Sequence, residues 1–159
     1  MRDGPVIWWV RRDLRLDDNP GLAAVAASGR PVIPLFMVDP ETEALGAAPR
    51  WRLGAGIACL AETLAAMGSR LTLRRGPALG VLEGLLAETG AVAVHWARLY
   101  DPAARARDTA VKRALRAQGI EAISHPGHLL HEPMDVETGQ GGPYRVYSPF
   151  WRAIRQRPV

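Results

Sequence analysis

The 159-residue sequence predicts an α/β fold, an open five-stranded parallel sheet with helices on both faces. Two observations carry this. Short apolar runs alternate with helix-period stretches in units of about 25 to 35 residues, the rhythm of repeated βα units. No connection between consecutive runs is short enough for a hairpin, so the strands are joined by crossovers and run parallel. Composition agrees: 48% hydrophobic and 23% charged residues are ordinary for a globular protein, and the length allows one core.

The first run, Val6-Ile7-Trp8-Trp9-Val10, is continuously apolar and reads as a strand buried on both faces. A charged turn, Arg11 to Asp18, follows it, and then Asn19-Pro20, an N-cap with proline where its missing N–H costs nothing. Gly21 to Ser28 is a short Ala-rich helix with Gly29 as its stop. Pro31 to Val38 is the second strand, although Pro34 inside it is a residue that usually sits at sheet edges. Glu41 to Pro49 reads as a loop. From Arg50 onward, Leu53, Ile57, Leu60, Leu64 and Met67 make one apolar helical stripe ended by Gly68, and Cys59 within it is expected to be a small buried hydrophobe.

Arg70 to Arg75 alternates as an exposed edge strand, and Gly76-Pro77 turns into a helix bearing Leu79, Leu82, Leu85 and Leu86 and closed at Gly90. Ala91 to Trp96 is the fourth strand. Asp101-Pro102 repeats the cap-and-proline device before a helix reaching about Gln118, which buries Val111, Ala114 and Leu115 and turns Arg105, Arg107, Lys112, Arg113 and Arg116 to water. Ile120 to Ser124 is the fifth strand. The arrangement is Rossmann-like, with the flavodoxin-like strand order 3-2-1-4-5. Domain one is expected to span residues 1–125. Residues 126–159 read as a linker with a Gly-rich turn, an extended Tyr144 to Tyr147 and a helix from Phe150 capped by Ser148-Pro149. That helix opens with aromatics that have little left to pack on, which suggests a cut chain.

The chemistry is read first by exclusion. The chain has neither a Gly-x-x-x-x-Gly-Lys-Ser/Thr loop nor a Gly-x-Gly-x-x-Gly after the first strand, so neither phosphate cradle is present. Gly54-Ala55-Gly56 lies in a helical stripe and serves close packing. His128 and His131 lack carboxylate company for a metal, His95 reads as a core histidine, and no metal site is expected. Asp17-Asp18 beside Arg12 and Arg15 are expected to form ion pairs that fix the turn. No catalytic constellation emerges. The net charge of +4 is assigned to solvated helix faces. One cysteine excludes an internal disulfide and fits a reducing cytoplasm, and no run approaches the roughly 20 apolar residues of a membrane span. A cytoplasmic monomer is the expectation.

Four segments carry a resemblance. Arg11-Arg12-Asp13-Leu14-Arg15-Leu16-Asp17-Asp18-Asn19 after a Trp-rich strand resembles the opening signature of the photolyase/cryptochrome family. Leu35 to Pro40, Leu129 to Pro133 and Thr138 to Trp151 resemble that family's second strand, its pre-hinge loop and its exit toward a helical domain. The resemblance is most like bacterial cyclobutane pyrimidine dimer photolyases. It implies an N-terminal light-harvesting domain whose partner is a C-terminal helical domain that holds FAD and meets damaged DNA, so the fragment alone is expected to be inactive. Cryptochrome-type signalling, or a free-standing nucleotide-binding module of the universal-stress kind, are the alternatives.

The antenna chromophore implied is a reduced folate, a deazaflavin or another flavin, held at strand ends by Arg11, Met37, Arg50, Arg52, Ala97 and Asp101. Asp101 is also read as a helix N-cap. The folate type has an Asn-Glu pair after the fourth strand and a His after the second, where this sequence has Ala103-Ala104 and Leu45-Gly46. The deazaflavin type has an Asp where Leu99 stands, although Arg50 and Arg52 match the place of its pocket Arg.

Overall fold

A computed structural model describes residues 3–157. The strands are β1 (Val6–Val10), β2 (Val32–Val38), β3 (Thr72–Arg75), β4 (Ala93–Ala97) and β5 (Glu121–His125). They pair in parallel in the order β3-β2-β1-β4-β5, as the sequence predicts. The helices are α1 (Pro20–Ala27), α2 (Pro40–Glu43), α3 (Ala47–Ala66), α4 (Ala78–Thr89), α5 (Pro102–Ala117) and α6 (Tyr147–Ile154). The chain divides between Gly127 and His128 into two compact units.

In the first unit, alternation along β1 sends its two tryptophans to opposite faces. Ile7 and Trp9 join Leu35, Met37, Val94 and Trp96 under α4 and α5, whose Leu82, Leu85, Val111 and Leu115 complete that core. Val6, Trp8 and Val10 join Val25 of α1 and Leu60 and Leu64 of α3 on the other face. All of β1 is buried, so the central strand is continuously apolar for the reason given above.

Pro34 lies mid-strand without disturbing the sheet. Val6 N–H donates to Pro31 O, so odd residues of β2 bond toward β1, and Pro34 faces the β3 side. The ladder with β3 starts only at Leu35↔Thr72, so the donor that proline lacks has no carbonyl waiting for it.

Four expectations are corrected. Residues 41–49 are not a loop, because they hold α2 and the first turn of α3. Pro49 there, and Pro40 just before, sit in first turns whose N–H groups have no intrahelical partner. Cys59 is exposed, because it stands two residues, about 200°, from Ile57 on the helix. Met67 is also exposed, at the C-cap of α3. Arg107 and Lys112 are turned inward, with the Arg107 side chain only 14% exposed.

In the second unit, a short 3₁₀ turn spans Pro133–Asp135. Thr138 closes the Gly-rich turn by bonding Gly141 and Gly142, both at positive φ. The expected extended segment ends early, because α6 starts at Tyr147 with Val146 at its cap and Ser148-Pro149 inside its first turn. Tyr147 stacks on Trp151 with ring centroids 6.3 Å apart, and Tyr144 meets Phe150 edge-on at 6.2 Å.

Candidate functional site

The turn after β1 is pinned by its own polar residues. Asn19 is buried; its Oδ1 accepts from Leu22 N at 3.0 Å, and its Nδ2 donates to Asp13 Oδ2 and to Arg15 O at 3.1 Å each. Asp13 Oδ1 accepts Arg11 N–H at 3.0 Å. Arg15 Nε reaches Asp18 O at 3.1 Å, and Asp18 takes a left-handed φ of 50°. Asn19 and Asp13 therefore fix the turn, and Arg12 pairs with Asp101 at 3.5 Å instead of with the Asp17-Asp18 carboxylates. Leu14 lands on α3, where its Cδ1 would sit 2.7 Å from a Cβ at Gly56. Gly56 thus does serve close packing, whereas Gly54 faces open space.

Between this turn, the carboxyl ends of β1 and β2, α2 and the start of α3 lies a cleft of about 740 Å³. It opens where an open α/β sheet presents ligands, and its size is within the range of roughly 300–1,000 Å³ usual for small-molecule sites. Trp9, Phe36, Met37, Leu14 and Leu99 supply apolar wall, and Trp51, 78% exposed, stands at its rim. Arg12, Arg15 and Arg52, all exposed, add positive charge to its lining.

A buried ion-pair network forms one end of the cleft. Arg11 donates two bonds to Asp108, at 2.7 and 2.9 Å, and a third to Ala97 O. Arg107 donates to Asp108 at 3.0 and 3.1 Å and to Asp39 at 2.6 Å. Asp39 also caps α2 through Thr42 N–H at 2.8 Å. The Arg11 and Arg107 guanidinium carbons lie 4.8 and 5.3 Å from the Trp9 ring centroid. Burial lowers the Arg11 pKa from its ordinary value, and Asp108 opposes that shift. Arg11 Nε is buried with no partner among the described residues, a donor still to be satisfied.

Of the six residues expected to hold a ligand, Arg11, Met37 and Arg52 line this cleft. Arg50 is exposed outside its lining. The Ala97 carbonyl is taken by Arg11. Asp101 caps α5 through Ala104 N–H at 3.0 Å, a bond that holds its carboxyl below the ordinary carboxylate pKa, and pairs with Arg12. Sequence reasoning missed Trp51 and Asp108. Each left a signal: Trp51 stands off the stripe of its helix, and Asp108 stands on the stripe Ala104, Val111, Leu115, where a charge implies a buried partner.

His95 lies outside the cleft as a satisfied core residue, its Nδ1 3.0 Å from His125 Nε2 with the rings stacked. Among the described residues, no group of three His, Cys, Asp or Glu could hold a metal, and no helix is long and apolar enough to cross a membrane.

Comparison with known proteins places this geometry among relatives. Residues 6–158 match the family model for DNA photolyase. A deoxyribodipyrimidine photo-lyase of Agrobacterium fabrum is 46% identical over 154 residues, covering 97% of this chain and 32% of that protein. Cryptochrome-2 of Arabidopsis thaliana is 38% identical, covering 94% of this chain and 25% of its own. The crystal structure of a bacterial class III photolyase from Agrobacterium tumefaciens superposes with a TM-score of 0.93 at 45% identity, covering 99% of this chain and 33% of that one. An archaeal photolyase from Sulfolobus tokodaii, described with two FAD molecules and the implication of a novel light-harvesting cofactor, gives 0.82 at 25% identity over 98% of this chain and 35% of its own.

Proposed function

The chain belongs to the DNA photolyase family, and from that premise we propose that its cleft is the seat of an antenna chromophore serving a deoxyribodipyrimidine photolyase. The chain spans about a third of the length of the photolyases it matches. Light-driven repair of cyclobutane pyrimidine dimers, with FAD and damaged DNA as partners, is therefore assigned to the whole protein, in the cytoplasm and as a monomer.

The observation that carries the reading is the cleft itself, an aromatic and aliphatic slot with arginines in its lining and one unsatisfied buried donor, Arg11 Nε. These residues fit a flat conjugated ring with an anionic or carbonyl-rich periphery. Phe36, Met37 and Leu14 offer faces to a ring, Trp51 is placed to close over it, and Arg15 and Arg52 meet the anionic tail. The chromophore supplies absorption and resonance transfer, which need proximity and orientation and no acid, base or nucleophile from the protein. This chain's residues bind, orient and exclude water. The Asp108 network keeps the end of the slot rigid with the cleft empty or filled.

The test is titration of the chain with a reduced folate, a deazaflavin and FMN, followed by the ligand's absorbance and fluorescence. Saturable binding of one of them that Arg52→Ala and Trp51→Ala weaken supports the reading; no binding of any refutes it. The likeness to Cryptochrome-2 favours signalling as the second reading. Absence of light-dependent dimer repair by the full-length protein would select it.

A further inference from the structure

We propose that Trp9 and Trp96 form an ultraviolet collector that passes excitation to the chromophore in the cleft; this rests on the chromophore reading above. The two rings lie on one face of the sheet, 5.7 Å apart and tilted by 53°, close enough to exchange excitation with each other. Trp9 also lines the cleft, so one end of the pair borders any bound ligand. Both indoles are at most 1% exposed. Burial removes quenching by water and fixes their orientation to each other.

An excited tryptophan beside a chromophore has two possible fates. It can hand over excitation, or it can give up an electron, leaving a positive hole on the indole and a negative charge on the ligand. Recombination of that pair loses the energy as heat. The cations around these rings bias the competition. Arg11 and Arg107 lie at 4.8 and 5.3 Å from the Trp9 centroid, and Lys112 Nζ lies 5.7 Å from that of Trp96. A positive charge that stabilises a neutral ring through its quadrupole repels a hole on that ring. The carboxylates of Asp108 and Asp39 offset part of this at Trp9. Lys112 bonds the neutral Ser124 hydroxyl at 2.9 Å, and Asp108 acts on its charge too, so the offset at Trp96 is likewise partial. The arrangement makes the pair an energy donor and a poor electron donor.

The 159-residue chain loaded with methenyltetrahydrofolate or FMN tests this through the excitation spectrum of the ligand's emission. An indole band should appear in it. Trp96→Phe should lose a large share of that band with ligand affinity unchanged. Lys112→Met should lower the band while direct excitation of the ligand keeps its yield. If Trp96→Phe fails to fold, the Trp8→Phe/Trp51→Phe/Trp151→Phe variant, which leaves only Trp9 and Trp96, should keep a substantial band at saturating ligand, and labelling that variant with a non-emissive fluorotryptophan, which preserves ring shape, should abolish it. If these two ligands and a deazaflavin all fail to bind, the chromophore reading falls and this proposal with it. If one binds and the indole band is absent, or is the same in Trp96→Phe, the collector alone is refuted.

Discussion

Asp108 is the shared acceptor of two buried guanidiniums, and replacing it should cost more than replacing either partner of a simple pair. In Asp108→Leu, Arg11 keeps only its bond to Ala97 O, and Arg107 keeps only Asp39 and Glu41. Side-chain exposures of 6%, 13% and 14% for Arg11, Asp108 and Arg107 leave little water to compensate. Breaking a buried pair from one side costs about 3–5 kcal/mol, a large part of the roughly 5–15 kcal/mol that holds a domain folded. With an m-value of about 2 kcal/mol/M in urea, the midpoint should fall by about 1.5–2.5 M. Arg11→Met leaves Asp108 bonded to Arg107 at 3.0 and 3.1 Å and should cost less, about 1–3 kcal/mol, mostly for the orphaned Ala97 carbonyl. The assay is urea unfolding followed by circular dichroism, with m checked to be unchanged. A midpoint shift under about 0.5 M for Asp108→Leu, or a larger shift for Arg11→Met than for Asp108→Leu, would refute the hub.

Asp101→Ala should cost about 1 kcal/mol through loss of the α5 cap, and Asp101→Asn much less, read as a difference in Tm. Burial lowers the pKa of both His95 and His125 below 6.5, so the unfolded chain binds more protons as the pH falls beneath that value; stability should be flat above it and decline below it. Urea midpoints from pH 8 to pH 5 check the slope, which His125→Gln should reduce; an unchanged slope in that variant would place the linkage elsewhere. Gly54→Ala, with open space at its Cβ, should stabilise α3 by about 0.5–1 kcal/mol. Gly56→Ala should lose that gain because Leu14 Cδ1, 2.7 Å from the new methyl, must move, and ligand binding in the cleft should weaken with it.

The sheet was legible because its central strands are apolar on both faces and its helix caps are written in residue pairs. Asn19-Pro20 and Asp101-Pro102 both cap as the sequence implies, through Leu22 and Ala104 N–H. Prolines misled where their helical position mattered. Pro49 reads as a loop residue and Pro40 as the close of the second strand, but both occupy first turns, where they are tolerated. Periodicity also misplaced long cations. Arg107 and Lys112 were assigned to water because they flank the apolar stripe of α5, yet their length carries the charge to Asp39 and to Ser124. A pattern read from Cα positions does not see where a flexible tip finds its partner.

The site was legible in part for the same reason. Arg11 and Met37 are fixed by strand ends, and strand ends were readable; Trp51 stands off the apolar stripe of α3, and the stripe does not say what an off-stripe aromatic faces. The positions that would distinguish chromophore types now have a physical meaning. Leu45 and Leu99, which stand where the folate and deazaflavin patterns have a His and an Asp, both line the cleft. At these two points the wall offers an apolar surface and no side-chain donor or acceptor to a ring edge. In the proposed reading a ligand meets the exposed guanidiniums of Arg15 and Arg52 beside Asp39, Glu41 and Thr42 of the same lining, and draws its stacking from Trp51 and Phe36.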